Sequence, residues 1–265
     1  MQTISKIPIG KISAIGLTLA LSGPVMADTL GTIDAIISFP NATRTHNIDT
    51  NIGPNSYAGL ASGSESDPNW NFLSNPDGSF HAWCLEPTEF LDGNNTYNVN
   101  TLESAPQDGN NFEMGDISGF AGTTRADDMR LLVGGVFDFA TGIFSDLDMS
   151  LNGGMGLSGK DLYTAFQVAV WEIANEDTAA SYDVTSGGFQ RDSGGGSNWS
   201  EVASQANQWL ASLGSYSPNT YLLALVDGNN QDFLVSAVPI PGAVWLFGSV
   251  LLGWAGIGRR RGSDA

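Results

Sequence analysis

Cys84, in the stretch Ser79-Phe80-His81-Ala82-Trp83-Cys84-Leu85-Glu86-Pro87, is the single cysteine of the 265-residue chain. An intrachain disulfide is therefore excluded, and the thiol is either a small buried hydrophobe or a nucleophile. A cysteine hydrolase needs a histidine base within reach of the sulfur. The chain has two histidines, His46 and His81. Strand alternation places Phe80, Ala82 and Cys84 on one face and His81, Trp83 and Leu85 on the other, which turns His81 away. One cysteine and two scattered histidines make no zinc signature. Glu172 and Glu176 stand four apart on a helical pattern, and a solvated helix face accounts for them. The Asp-Gly-Asn-Asn stretches that begin at Asp92 and Asp227 lack the ligand spacing of a calcium loop. No metal and no cofactor is expected.

The elements that must position Cys84 read as α+β: barrel-like or sheet strands, early and late, around a central helical cluster. Thr32–Phe39 reads as a first strand, followed by polar, turn-rich sequence. Residues 63–79 read as a loop, and residues 79–87 as a strand that ends at Pro87. Residues 92–100 form a turn entering another strand. Residues 126–140 have helical spacing, with Asp127 and Asp128 at the favourable N-terminal end; Gly134 and Gly135 weaken that helix. A Gly-rich loop covers 152–159. The strongest helix is 158–176, with Leu162, Phe166, Ala169, Val170 and Ile173 as its apolar stripe and Ser158 as its cap, with Asp161 three residues on. Residues 186–197 read as a loop. A second amphipathic helix spans 198–214 with Gly214 as its C-cap. Two strands around Asp227-Gly228-Asn229-Asn230 form a hairpin.

Composition narrows the class of protein. Hydrophobic residues make up 42% of the chain and charged residues only 14%, with a net charge of −18. Five of the basic residues, Lys6, Lys11, Arg259, Arg260 and Arg261, lie in the terminal segments, so the middle is more acidic still. Such a surface excludes nucleic acid as a partner, because phosphate binding needs clustered Lys and Arg.

Residues 1–27 have the order of a secretory signal peptide: a Lys6/Lys11 n-region, a short apolar run from Ile12 to Leu21, and Val25 and Ala27 at the cleavage site. Signal peptidase and the general secretion machinery are the expected partners, and the mature chain is expected to start at Asp28. At the other end, Gly242–Gly258 is an uncharged apolar run, read as a single transmembrane helix, and Arg259, Arg260 and Arg261 follow as a cytoplasmic stop. Val238-Pro239-Ile240-Pro241, the Trp-bearing apolar run and the terminal Arg cluster together resemble the PEP-CTERM sorting signals, nearest to the VPLPA-CTERM variant. Ile240 and Gly242 stand where Leu and Ala are commoner. The resemblance implies recognition of the Val238–Pro241 motif by an exosortase in a Gram-negative bacterium. It also implies transient anchoring in the inner membrane, then display at the cell surface or release to an exopolysaccharide or biofilm matrix.

The central region resembles the Cys–Gln thioester domains of bacterial adhesins. Trp83-Cys84-Leu85-Glu86 matches their aromatic-Cys-aliphatic-acid motif on a strand. Gln167-Val168-Ala169-Val170-Trp171 matches their later helical Gln motif, with Phe166 where Thr is commoner. The resemblance implies a thioester between Cys84 and Gln167, in an environment made by Trp83, Glu86 and Trp171. Forming it from an unactivated amide needs fixed proximity, a route to thiolate and donors for the developing oxyanion. The acyl group would then pass to a surface nucleophile, giving covalent adhesion rather than enzymatic turnover. The alternative is a non-reactive structural or binding module of the matrix in which the same residues serve only the core. The chain thus divides into a signal peptide at 1–27, an extracytoplasmic domain at 28–236 and a sorting signal at 237–261.

Overall fold

A computed structural model describes residues 29–237, apart from 40–44, 52–55, 66–77, 90, 92–93, 108–109, 145–156, 158 and 177–180. The signal peptide, the Val238–Pro241 motif, the C-terminal apolar run, most of the loop at 63–79, the Gly-rich loop at 152–156 and the Ser158 cap all lie outside the described residues. Among those described, no helix is long and apolar enough to cross a membrane.

Six strands close a barrel in the order β1-β4-β5-β13-β12-β6: β1 (Thr29–Ser38), β4 (Ala61–Glu65), β5 (Ser79–Cys84), β6 (Asn94–Thr101), β12 (Leu222–Asp227) and β13 (Asn230–Ser236). All its pairings are antiparallel. Residues directly opposite one another share a face, so the register identifies the lining. Ile33 pairs Tyr97, Ile37 pairs Gly63, Gly63 pairs Phe80, Phe233 pairs Cys84, and Leu225 pairs both Phe233 and Val99. These residues point into the barrel; Ile33, Ile37, Tyr97, Val99, Phe80, Cys84, Leu225 and Phe233 are all buried. In β1 the alternation expected from sequence is present, with Ile33, Ala35 and Ile37 in and Ile36 out. The Gly228 turn joins β12 to β13, as the Asp-Gly-Asn-Asn signal implies.

Between β6 and β12 the chain builds the helical cluster, α1 (Arg125–Val136), α2 (Gly159–Asn175) and α3 (Trp199–Ala211), with two short strand pairs, β7 (Pro106–Gln107) with β8 (Asn110–Glu113) and β9 (Phe137–Asp138) with β10 (Ile143–Phe144). Thr124 caps α1 in a reciprocal box, its hydroxyl accepting the Asp127 N–H while the Asp127 carboxylate accepts the Thr124 N–H. The helix ends earlier than its periodicity suggests. Phe137 turns extended, and its ring enters an aromatic cluster with Trp83 (5.0 Å between centroids), Phe166 (5.4 Å) and Phe139 (5.2 Å). Likewise α3 stops at Ala211 with Ser212 as C-cap, and Gly214 lies in the 3₁₀ turn Leu213–Ser215 rather than capping the helix.

Segments read as loops from sequence contribute strands: β4 (Ala61–Glu65) of the barrel runs into the loop read from residue 63, and two further segments build a separate sheet. β2 (Thr45–Thr50), β3 (Ser56–Gly59) and β11 (Arg191–Gly194) form a small sheet in the order β11-β2-β3. They are short and largely polar, and they form as a set: β2 pairs the nearby β3, and β11 joins β2 from far along the chain. This sheet packs on one side of α2 while α1, α3 and β5 pack on the others. The consequence is a central helix buried almost all round: Thr164, Gln167, Trp171 and Glu172 are as inaccessible as its apolar stripe.

Gly134 in mid-α1 has a reason of its own. A Cβ there would stand 2.0 Å from the Ser217 carbonyl oxygen and 2.6 Å from the Asn219 nitrogen, both backbone. An exposed helical glycine gains about 1 kcal/mol on replacement by alanine. Gly134→Ala is expected to do the reverse and lose about 1–3 kcal/mol through overpacking, read from the urea unfolding midpoint.

Candidate functional site

The strand β5 brings Cys84 to the place where the barrel meets α2. β4 accompanies β5 only as far as the Ala61–Ala82 pair. Beyond it, on the far side, the Leu85 N–H still donates to the Asp232 carbonyl of β13 at 2.9 Å. The near edge, which β4 has left, would expose the backbone of Cys84 inside the protein, where an unpaired amide is costly.

The side chain of Gln167 fills that edge. The Cys84 N–H donates to Gln167 Oε1 at 3.1 Å, and Gln167 Nε2 donates to the Cys84 carbonyl at 2.7 Å. The carboxamide thus acts as a one-residue piece of neighbouring strand. Cys84, Gln167 and Trp171 have no solvent exposure, and Glu86 is 7% exposed. One helical turn after Gln167, Trp171 lies beside the sulfur, where its indole favours the thiolate. Its Nε1 is buried and makes no hydrogen bond of full geometry.

The sulfur itself donates to the main-chain oxygen of Glu86 at 3.0 Å, an oxygen that also accepts from Gln231 Nε2 at 3.0 Å. Glu86 therefore meets Cys84 through its carbonyl. Desolvation pushes the Cys84 thiol well above its ordinary value. The Trp171 side chain and the Glu86 carbonyl act the other way, while the negative charges of Glu86 and Asp232 raise it further. The negative charge of Glu86 thus works against the thiolate while its main-chain oxygen holds the thiol proton.

His81 faces away, as alternation implies. Its Nδ1 lies 3.0 Å from the Phe139 carbonyl oxygen, and its other nitrogen faces Gly142. The His46 side chain is outside the described residues. Trp83 is not beside the sulfur. It points out of the barrel into the helical layer, 4.6 Å from the Phe166 ring, and so holds α2 against β5 rather than shaping the surroundings of the thiol.

Glu172 and Glu176 correct the sequence reading outright. They do not lie on a solvated face; Glu172 is fully buried and Glu176 is 2% exposed. Both accept hydrogen bonds from the backbone of residues 181–190. Glu172 Oε1 takes the Asp183 N–H at 2.7 Å, and the Glu176 carboxylate takes the Gly188 N–H at 2.9 and 3.0 Å. Burial pushes Glu172 up to about 8, helped by the charges of Glu176 and Asp183. Next to them Asp128, also fully buried, accepts from the amides of Phe120, Ala121 and Gly122 and from the Tyr182 hydroxyl. A sequence signal for this network existed: one acid, Glu172, inside the otherwise apolar run Val170-Trp171-Glu172-Ile173-Ala174, with Glu176 one helical turn further on. No group of three or more His, Cys, Asp or Glu side chains among the described residues is placed to hold a metal ion.

The double hydrogen bond gives Gln167 a measurable structural role. In a Cys84→Ala background, where no bond to sulfur can form, Gln167→Leu leaves the residue-84 N–H and C=O buried without partners. The expected loss is about 2–5 kcal/mol relative to Cys84→Ala alone, read by urea unfolding. Comparison of the chain with protein-family models, with curated proteins and with solved structures gave no match.

Proposed function

We propose that the chain is an exported, exosortase-processed surface or matrix protein that forms an internal thioester between Cys84 and Gln167 and uses it for covalent capture. The observation that carries the reading is the two-point contact of the Gln167 carboxamide with Cys84. It supplies two of the three requirements of the reaction. Proximity is fixed, because the amide is bonded to the very residue that bears the nucleophile. An oxyanion donor is in place, because the Cys84 N–H already sits on the oxygen that would become negative. The Trp171 indole beside the sulfur favours the third, the thiolate.

The step balances without an outside reagent. The Cys84 sulfur bonds to Cδ of Gln167, the C–N bond breaks, and the thiol proton departs with the amide nitrogen as ammonia. A primary amine or hydroxyl of a target then attacks the same carbon. The C–S bond breaks, an amide or ester joins the target to residue 167, and the proton lost by the attacking group returns to the sulfur. Water would compete for the acyl carbon, and the fully buried setting excludes it until a partner gains access.

The localisation part of the proposal rests on the order of motifs at the chain ends: a signal-peptide pattern, then Val-Pro-Ile-Pro, an apolar run and triple Arg. Its partners would be signal peptidase, an exosortase, the inner membrane through the C-terminal helix, and an exopolysaccharide or surface nucleophile of a Gram-negative cell. A second reading has its own support. Because β4 ends early, Gln167 is useful simply as the missing strand edge, and the domain would then be a non-reactive module of the matrix.

Intact mass separates the two readings. The thioester form is one ammonia lighter than the sequence, and Cys84→Ala has the full mass of its own sequence. A wild-type mass equal to the plain sequence, with one thiol titrating on unfolding, would falsify the thioester.

A further inference from the structure

The candidate site is closed on its outer side by a strap, Asp183–Phe189, tied to α2 by carboxylates. Phe189, 1% exposed, lies 6.2 Å from the Trp171 ring, and Trp171 in turn lies beside the Cys84 sulfur. The strap is held along its length. Asp183 N–H donates to Glu172, Val184 N–H to Asn207 Oδ1 at 3.0 Å, Gly188 N–H to both oxygens of Glu176, and Phe189 N–H to Glu176 Oε2 at 3.3 Å. Gly187, at φ +113°, lets the backbone lie against that carboxylate; a Cβ would come 2.2 Å from Glu176 Oε2.

This attachment carries an electrostatic conflict. Three buried carboxylates stand here, Asp128 of α1, Glu172 of α2 and Glu176 just past its end, and among the described residues one cation is buried, Arg125, whose charge acts on Glu172. From the strap side Tyr182 and Asp183 face the same group. Glu172 is the unsettled member. Its Oε2 is fully buried and has no hydrogen-bond partner, whereas Asp128 and Glu176 are each met by several donors. A protonated Glu172 tolerates this position; an ionised one strengthens the bond from the Asp183 N–H but leaves Oε2 charged and unmet, and desolvation outweighs that bond.

We propose that the Asp183–Phe189 strap is a proton-controlled cover over the Cys84–Gln167–Trp171 site, closed while Glu172 is protonated and released when Glu172 ionises. The purpose of release rests on the thioester reading: a fully buried acyl carbon needs an opening before an amine or hydroxyl can reach it. The opening itself does not rest on that reading.

The sign follows from linkage. With the strap closed Glu172 titrates at about 8, and with the strap open it would return to the ordinary carboxylate range. Closure therefore binds a proton between those limits. Raising the pH through this window weakens the closed state by up to about tenfold per unit, and above it the effect levels off.

Hydrogen exchange tests this on the purified processed protein. Exchange of peptides covering 181–190 is followed at pH 6 and pH 9 and corrected for the intrinsic chemical rates. The expected result is about tenfold or greater loss of protection at pH 9 in the wild type, and less than about twofold change in Glu172→Gln. Peptides from β1 and β6 should hold their protection at both values. Equal wild-type protection of the strap at the two pH values overturns the proposal, as does an equal loss in Glu172→Gln. Should Glu172→Gln fail to fold, the wild-type curve decides, because a loss centred well below pH 4 or above pH 10 assigns the release to another group and overturns the proposal. Methylamine labelling at Gln167 that rises with the same profile ties release to the thioester. A free Cys84 thiol with the same exchange profile leaves the cover intact and removes only the thioester.

Discussion

At the joint between the barrel and the helical layer, the carboxamide of Gln167 meets the backbone of Cys84 at two points, with Asn175 Nδ2 on the Leu85 carbonyl and His81 on the Phe139 carbonyl as further polar contacts. Around it the joint is apolar: Trp83 against Phe166 and Phe137, and Leu234 and Val170 buried nearby. Apolar packing fixes how close α2 lies to β5 but does not fix its register along the strand. Two hydrogen bonds that only one carboxamide position can satisfy do fix it, and they pay for a strand edge that β4 leaves bare. Any chemistry between the two residues inherits that precision from a structural need.

The same helix has a second task. Its C-terminal half carries Trp171 toward the sulfur and Glu172 toward the strap, with Glu176 just past its end, so the buried acids are part of the wall of the site rather than a separate feature. Their cost is visible in the raised titration of Glu172. A fully apolar α2 would pack as well without it. In the proposed cover, Glu172 makes closure of the wall dependent on its proton occupancy, whereas Asp128 is met by three backbone amides and the Tyr182 hydroxyl.

How much of this was legible in the sequence depended on whether the signal was local. β1, β5, β6, the β12–β13 hairpin and the three helices were readable because alternation, helical spacing and turn residues are properties of adjacent positions. So was the turning away of His81. The strands β2, β3 and β11 were not, since they are short and largely polar, and β11 joins the β2–β3 pair across more than a hundred residues. The end of α1 at Val136 was also hidden, because the Phe137 ring is drawn off the helix by Trp83 and Phe166, partners distant in the chain. The Glu172–Glu176 spacing looks like a solvated face because the residues whose amides meet the two acids, Asp183, Gly188 and Phe189, lie in a stretch with no periodic signal. The closeness of Cys84 to Gln167 came from a motif resemblance; the hydrogen bonds that create it could not be read from either motif alone.

The central claim is that the Gln167 acyl carbon is bonded to the Cys84 sulfur in the folded protein. Unfolding the purified processed protein in the presence of methylamine, followed by peptide mapping, tests it most directly. The account predicts a methylamide on Gln167 and on no other glutamine, matched by one newly released thiol at Cys84, with neither seen in Cys84→Ala. An unmodified Gln167 together with a Cys84 thiol already present before methylamine is added would contradict it.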